Sequence, residues 1–148
     1  MTMDFDNDFL AKLLEQAKEN PRLRQHVDLR TSPADGSQRM LNALQPGTEV
    51  PVHRHEESSE TVVCLKGKLY EVIYEEVNAF TSAASSDFER GMDAQSVATG
   101  RRFREVQRIL LCPVEGHFGC QLPKGAWHTV EVIEPSVILE SKDGAYVG

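Results

Sequence analysis

The chain has 148 residues, 40% of them hydrophobic and 26% charged, which is ordinary globular composition and enough length for one sizeable core. Its formal net charge of -7 argues against nucleic acid or an anionic membrane as a partner, since both require a basic surface. No apolar run approaches the length of a membrane span, and the segment from Met1 to Asp8 has neither the basic nor the apolar region of an export signal, so a cytoplasmic location is expected.

Residues 6–19 carry Phe9, Leu10, Leu13, Leu14 and Ala17 at three- and four-residue spacing. This predicts an amphipathic helix, capped by Asp6 or Asn7 and ended by Pro21. From residue 38 onward the chain reads as short strands at 38–45, 50–55, 60–65, 68–77, 104–111, 117–122, 127–133 and 136–142. Eight short strands punctuated by Gly and Pro predict a sandwich or barrel. We therefore expect one structural domain, in which residues 1–36 form a helical extension packed on residues 37–148.

The most informative stretch runs from Gly47 to Gly67, with His53, His55 and Glu60 between them, in the pattern G-x5-H-x-H-x4-E-x6-G. His53 and His55 are two apart, so on a strand both imidazoles point to one face. Glu60 follows a short polar turn that could bring it beside them. Two neutral imidazoles and a carboxylate are ligand types that Zn, Fe(II), Mn and Ni accept.

Residues 78–100, rich in Ser, Ala, Thr and Gly and without a clear period, are expected to form a long loop inserted between strands. Arg101, Arg102 and Arg104 follow at once, as a solvated strand edge or an anion-binding rim. Cys64, Cys112 and Cys120 lie in apolar runs and are expected to be reduced and structural. Cys64 shares strand parity with Glu60 and could face the same cavity. His26 and His117 are expected to be ordinary surface or packing histidines.

Further on, a strand runs into Pro123-Lys124-Gly125, a tight-turn sequence, and a second strand leaves it with His128 near its start. His128 is thus placed to act as a fourth ligand from a distant part of the sequence. On the last strand Ile138, Glu140 and Lys142 share a face, with Tyr146 just beyond. If that face is inward, Glu140 and Lys142 could pair or serve as acid and base, with Tyr146 a further candidate. If it is outward, the first two are an exposed ion pair, and parity alone cannot choose.

The first motif resembles cupin motif one in every fixed position, and residues 123–128 resemble the core of cupin motif two. His117 and Val132 depart from the second pattern, where glycine and asparagine would stand, but neither position is a usual ligand. Pro21 to Arg24, Gln38 to Gly47, His53 to His55, Pro123 to His128 and Glu140 to Tyr146 together resemble the WbuC-type cupin-fold metalloproteins. That resemblance implies an all-β double-stranded β-helix, or jelly roll, with an N-terminal helix. It also implies a place among surface-polysaccharide gene clusters, with no secure reaction.

A four-ligand set of His53, His55, Glu60 and His128 would leave open positions on one divalent transition ion, Zn or Fe foremost and Mn or Ni also admitted. The expected function is a metalloenzyme, such as an isomerase or epimerase, acting on a small oxygen-rich metabolite such as a carbohydrate derivative. Arg39, Arg101 and Arg102, with Lys142, are candidates for holding an anionic group of that substrate. Two other classes stay open: an Fe(II) dioxygenase of a small organic acid or thiol, and a non-catalytic metal or metabolite binder. A homodimer is expected, because closed two-fold dimers are the commonest soluble oligomers and sheet edges need cover.

Overall fold

The computed structural model describes residues 2–77 and 101–144. It begins with helix α1, Asn7–Glu19, whose first turn is held by Asp6 as its side chain accepts a hydrogen bond from the Phe9 amide. Leu10, Leu13, Leu14 and Ala17 form the buried stripe that the periodicity predicts. They pack on Leu41, Ala43 and Val137 from the sheet. No helix among the described residues is long and apolar enough to cross a membrane.

Six strands follow: β1 (Arg24–Asp28), β2 (Ser37–Leu44), β3 (Glu60–Glu76), β4 (Phe103–Leu111), β5 (Gly119–Leu122) and β6 (Trp127–Asp143). All pair antiparallel, in the order β1-β2-β6-β3-β4 with β5 also on β3. The fold is an all-β jelly roll with an N-terminal helix. The pairs of segments expected at 60–65 with 68–77, and at 127–133 with 136–142, are continuous strands of 17 residues each. The short strand β1 lies in the region expected to be only a helical extension; it adds to β2 from Arg24↔Leu44 to Asp28↔Met40.

The long β3–β6 ribbon supplies both halves of the roll. The start of β3 and the end of β6 join β2, β1 and β5, while the end of β3 and the start of β6 join β4. Between the halves the register slips at Cys64/Lys66, Lys66/Lys68 and Lys68/Leu69. Bulges of this kind bend a strand and let it pass from one sheet to the other. Gly67 sits in the corner with φ of +103°, and a Cβ there would collide with the Pro135 carbonyl and Ser136. The Ser136 hydroxyl accepts from the Lys68 amide at 3.0 Å and donates to the Glu134 carbonyl at 2.7 Å, replacing ladder bonds that the slip removes.

Residues 50–55, expected as a strand, form none beyond a single bridge at His53. Pro51 has no amide hydrogen to extend a ladder. The bridge itself is complete: His53 N–H donates to the His128 carbonyl at 3.0 Å and His128 N–H returns the bond at 2.8 Å. The segment 78–100 and Tyr146 lie outside the described residues.

Replacing Gly67 by Ala combines a disfavoured backbone angle with a clash against main chain. We expect it to destabilise the protein by more than about 2 kcal/mol, read as a lower midpoint in urea denaturation. A midpoint within error of the parent would contradict the corner assignment.

Candidate metal centre

Three separate pieces of chain converge inside the roll. His53 and His55 come from the strap 50–55, His128 from the start of β6, and Glu60 from the start of β3. The strap is held by the His53–His128 bridge, by the Thr129 hydroxyl donating to the Val50 carbonyl, and by the Gly125 amide donating to the His55 carbonyl at 2.9 Å. Gly125 takes φ of +82° in the Pro123–Ala126 turn, which the Ala126 amide closes on the Pro123 carbonyl at 3.1 Å. The two sequence motifs are therefore joined by main-chain bonds before any side chain meets.

One ligand nitrogen from each of His53, His55 and His128 lies within 4.8 Å of the others, so this triad could hold a metal ion. Ring centroids are 4.3 Å apart for His53–His128 and 5.2 Å for His53–His55. Two imidazoles have their Nδ1 positions engaged by carbonyls, His53 with Pro51 at 2.8 Å and His128 with Ala126 at 3.0 Å. A carbonyl accepts only from Nδ1–H, so the neutral rings present Nε2 lone pairs inward, the tautomer that a ligand needs. Burial, aided by the neighbouring imidazoles, lowers the His53 ring to about 4, which keeps it neutral.

Glu60 is 2% exposed. Its Oε2 stands 3.3 Å from both His55 Nε2 and His128 Nε2, yet this buried oxygen has no hydrogen-bond partner. An orphaned carboxylate oxygen between two inward imidazole nitrogens is a donor set suited to a divalent transition ion. Burial alone would raise the Glu60 carboxyl, but His128, His55 and Glu140 outweigh it and hold it well below the usual range. Burial would lower the His128 ring, but Glu60 and the Ala126 carbonyl outweigh it and raise the ring above its ordinary value.

The site opens on a cavity of about 170 Å³, whose wall includes Arg24, Asn42, Glu71 and Glu140. Glu71 was not anticipated. It lies on β3, 2% exposed, with Oε2 unpartnered, and burial followed by the Glu60 charge raises its carboxyl well above normal. A sequence signal existed: Leu69 and Ile73 share its strand face, and a carboxylate between two apolar same-face residues is a candidate buried acid. Glu140 accepts from Asn42 Nδ2 at 3.3 Å and, through burial and then Glu60, is raised well above the carboxylate range.

The face of β6 left open by parity is inward. Ile138 packs in the interior cluster, Glu140 lines the cavity, and Lys142 lines a neighbouring concavity. Arg39 points elsewhere: its guanidinium donates to the carbonyls of Ser37 and Leu29 and pairs with Asp35 at 3.2 Å, bracing the loop between β1 and β2. Arg101 lies 3.6 Å from Glu76, and Arg104 pairs with Glu75 across the β3–β4 ladder. The Arg102 carbonyl accepts from the Val77 amide. The Arg101 and Arg54 guanidiniums lie 5.0 and 4.5 Å from the ring centre of Trp127, which packs on Phe103. Cys64 joins the apolar cluster instead of lining the cavity, and burial raises its thiol to about 11; all three cysteines are free.

An unpaired buried carboxyl costs stability that an apolar side chain of similar length would restore. We expect Glu71→Met to raise the thermal midpoint of the metal-free protein by ~2–6 °C. A lower midpoint would mean that Glu71 has a stabilising partner.

Comparisons with known proteins bear on this geometry. The structure is similar to KdgF from Halomonas sp., with 14% identity and a TM-score of 0.54 over 86% of this chain and 84% of that one. It is similar to oxalate oxidase in complex with the substrate analogue glycolate, with 15% identity and a TM-score of 0.56 over 87% of this chain but only 55% of that one. The protein TT1209 from Thermus thermophilus matches with 22% identity and a TM-score of 0.53 over 96% of this chain and 98% of that one. At such identities the likeness concerns the fold alone, an antiparallel jelly roll. No curated protein matches the sequence significantly. A family described as "Domain of unknown function (DUF6016)" matches residues 5–85, more than half of the sequence, and the chain belongs to that family.

Proposed function

We propose that this protein is a metal-dependent enzyme that acts on a small, oxygen-rich metabolite, with His53, His55, Glu60 and His128 holding one divalent transition ion. The observation that carries the reading is the orphaned Glu60 Oε2, buried 3.3 Å from two imidazole nitrogens. Zn or Fe is the foremost candidate, with Mn and Ni compatible with the same donors. When bound, such an ion supplies a Lewis acid for a carbonyl or hydroxyl oxygen.

The chain's own residues favour a hydroxyl-bearing substrate. Glu71 and Glu140 line the cavity beside the triad, and carboxyl groups on a cavity wall select partners that can exchange hydrogen bonds with them. Glu140 is the residue we place as proton donor or acceptor, since it lines the cavity and is raised above the carboxylate range by burial and by Glu60. A cavity of about 170 Å³ suits a small molecule and not a polymer. The choice of a carbohydrate derivative, in surface-polysaccharide metabolism, rests on the WbuC-type resemblance. A homodimer covering the β4 edge, where the sheet path ends, completes the proposal. A monomer mass by light scattering at micromolar concentration would remove that last element.

Two measurements test the reading. The double substitution His53→Ala and His55→Ala should reduce metal, measured by elemental analysis of protein purified without nickel resin, from one per chain to a trace. Retention of one metal per chain would mean that other residues bind it. In a thermal-shift screen of the metal-loaded protein, sugars, sugar phosphates or hydroxy acids should stabilise by ~3 kcal/mol at a hundredfold excess over Kd. Stabilisation by thiols or apolar acids alone, with oxygen uptake, would favour an Fe(II) dioxygenase instead.

A further inference from the structure

The inner face of the sheet carries a second and larger concavity, of about 290 Å³, formed on β1, β2 and β6. It shares Glu140 with the triad cavity but none of the triad histidines. The strand registers explain why the two hollows adjoin. Met40 pairs with Glu140 and Gln38 with Lys142, while across the next ladder Lys142 pairs with Glu60 and Glu140 with Val62. Neighbouring strands lie ~4.8 Å apart, so Lys142 stands one strand spacing from the carboxylate of the triad site and faces the same interior.

Arg30, Arg39 and Lys142 line this basin against Asp28 and Glu140, with Asp35 balancing Arg39 from the loop between β1 and β2. Two of the cations are committed. Asp28 clamps Arg30 through both carboxylate oxygens, at 3.0 and 2.7 Å, and Asp35 holds Arg39 at 3.2 Å. The side chain of Lys142, a partly buried residue, enters no ion pair or hydrogen bond among the described residues. An ammonium at the wall of a concavity, left without a partner, is a ready donor of charge-assisted hydrogen bonds to an anion.

We propose that this basin is an anion subsite, in which the Lys142 ammonium holds the carboxylate or phosphate of a ligand whose hydroxyl or carbonyl oxygens reach the triad cavity. The spanning part rests on the metal reading above, while the anion-binding part stands without it. Glu140, on the shared wall, lies between the two ends of such a ligand. The substrate class narrows accordingly to short polyhydroxy compounds with one anionic end.

The test is calorimetric titration of the full chain with inorganic phosphate, with acetate and with glycerol 3-phosphate, each on metal-loaded and chelator-treated protein. Phosphate or acetate should bind in both states, and which binds more tightly identifies the anion. Lys142→Gln should weaken that binding by about tenfold or more, Lys142→Arg should largely preserve it, and Lys12→Gln on the exposed face of α1 should not change it. Glycerol 3-phosphate should bind the metal-loaded protein more tightly than phosphate does, with the gain lost on chelation. Equal anion affinity in the parent and Lys142→Gln, with the fold intact by circular dichroism, overturns the subsite, as does absence of binding by the parent. If the protein takes up no metal but Lys142→Gln still weakens phosphate binding, the metal reading fails and the subsite survives.

Discussion

Closure of the β3–β6 ribbon is the constraint on which the site depends. Glu60 pairs with Lys142 near one end of that ribbon and His128 pairs with Ile73 near the other. Thirteen residues of extended strand would separate such positions by roughly 43 Å. Glu60 Oε2 nevertheless lies 3.3 Å from His128 Nε2. The ribbon must therefore fold across itself, and the bulged corner around Gly67 and Ser136 is where it does so. The strap carrying His53 and His55 then closes over the meeting point through two main-chain bonds to His128. Backbone geometry brings the four side chains together, and their chemistry follows from that placement.

This placement puts several ionisable groups around one small cavity. Glu60, Glu71 and Glu140 all line one cavity, and the oxygens Glu60 Oε2 and Glu71 Oε2 have no hydrogen-bond partner. The carboxyls resolve the crowding by splitting: Glu60 is held low beside the imidazoles, while burial raises Glu71 and Glu140. A core selected for stability alone would carry apolar groups in the last two positions. Local cost concentrated beside four potential ligands is the pattern expected of a site kept for function.

Much of this was legible in the sequence, and the failures have physical causes. The helix from Asn7 followed from spacing and an aspartate cap, both local signals. The motif residues could be identified by type and interval, and the Pro123–Gly125 turn by its residues. The inward face of Ile138, Glu140 and Lys142 was not legible, because a two-residue period is identical for either face. Strand β1 went unseen because Arg24–Asp28 carries three ionisable residues in five and owes its extended form to pairing with β2. Arg39 was legible as a cation but not as a brace, since Asp35 and the Leu29 carbonyl reach it only through the folded loop. Glu71 shares its signal of apolar same-face neighbours with Glu75, which lies between Ile73 and Val77, so only the folded sheet shows which of the two is buried.

Trp127 is the only tryptophan in the chain and the immediate neighbour of His128. Its ring lies against Phe103 and near the guanidiniums of Arg101 and of Arg54, which separates His53 from His55. An indole is sensitive to nearby charge, and here its flanking cation is carried on the strap that bears two of the imidazoles. The molecule thus contains a single indole, covalently next to His128 and in contact with the strap that bears His53 and His55. Its emission offers a label-free optical gauge of whatever enters the roll, with no other indole to dilute the signal.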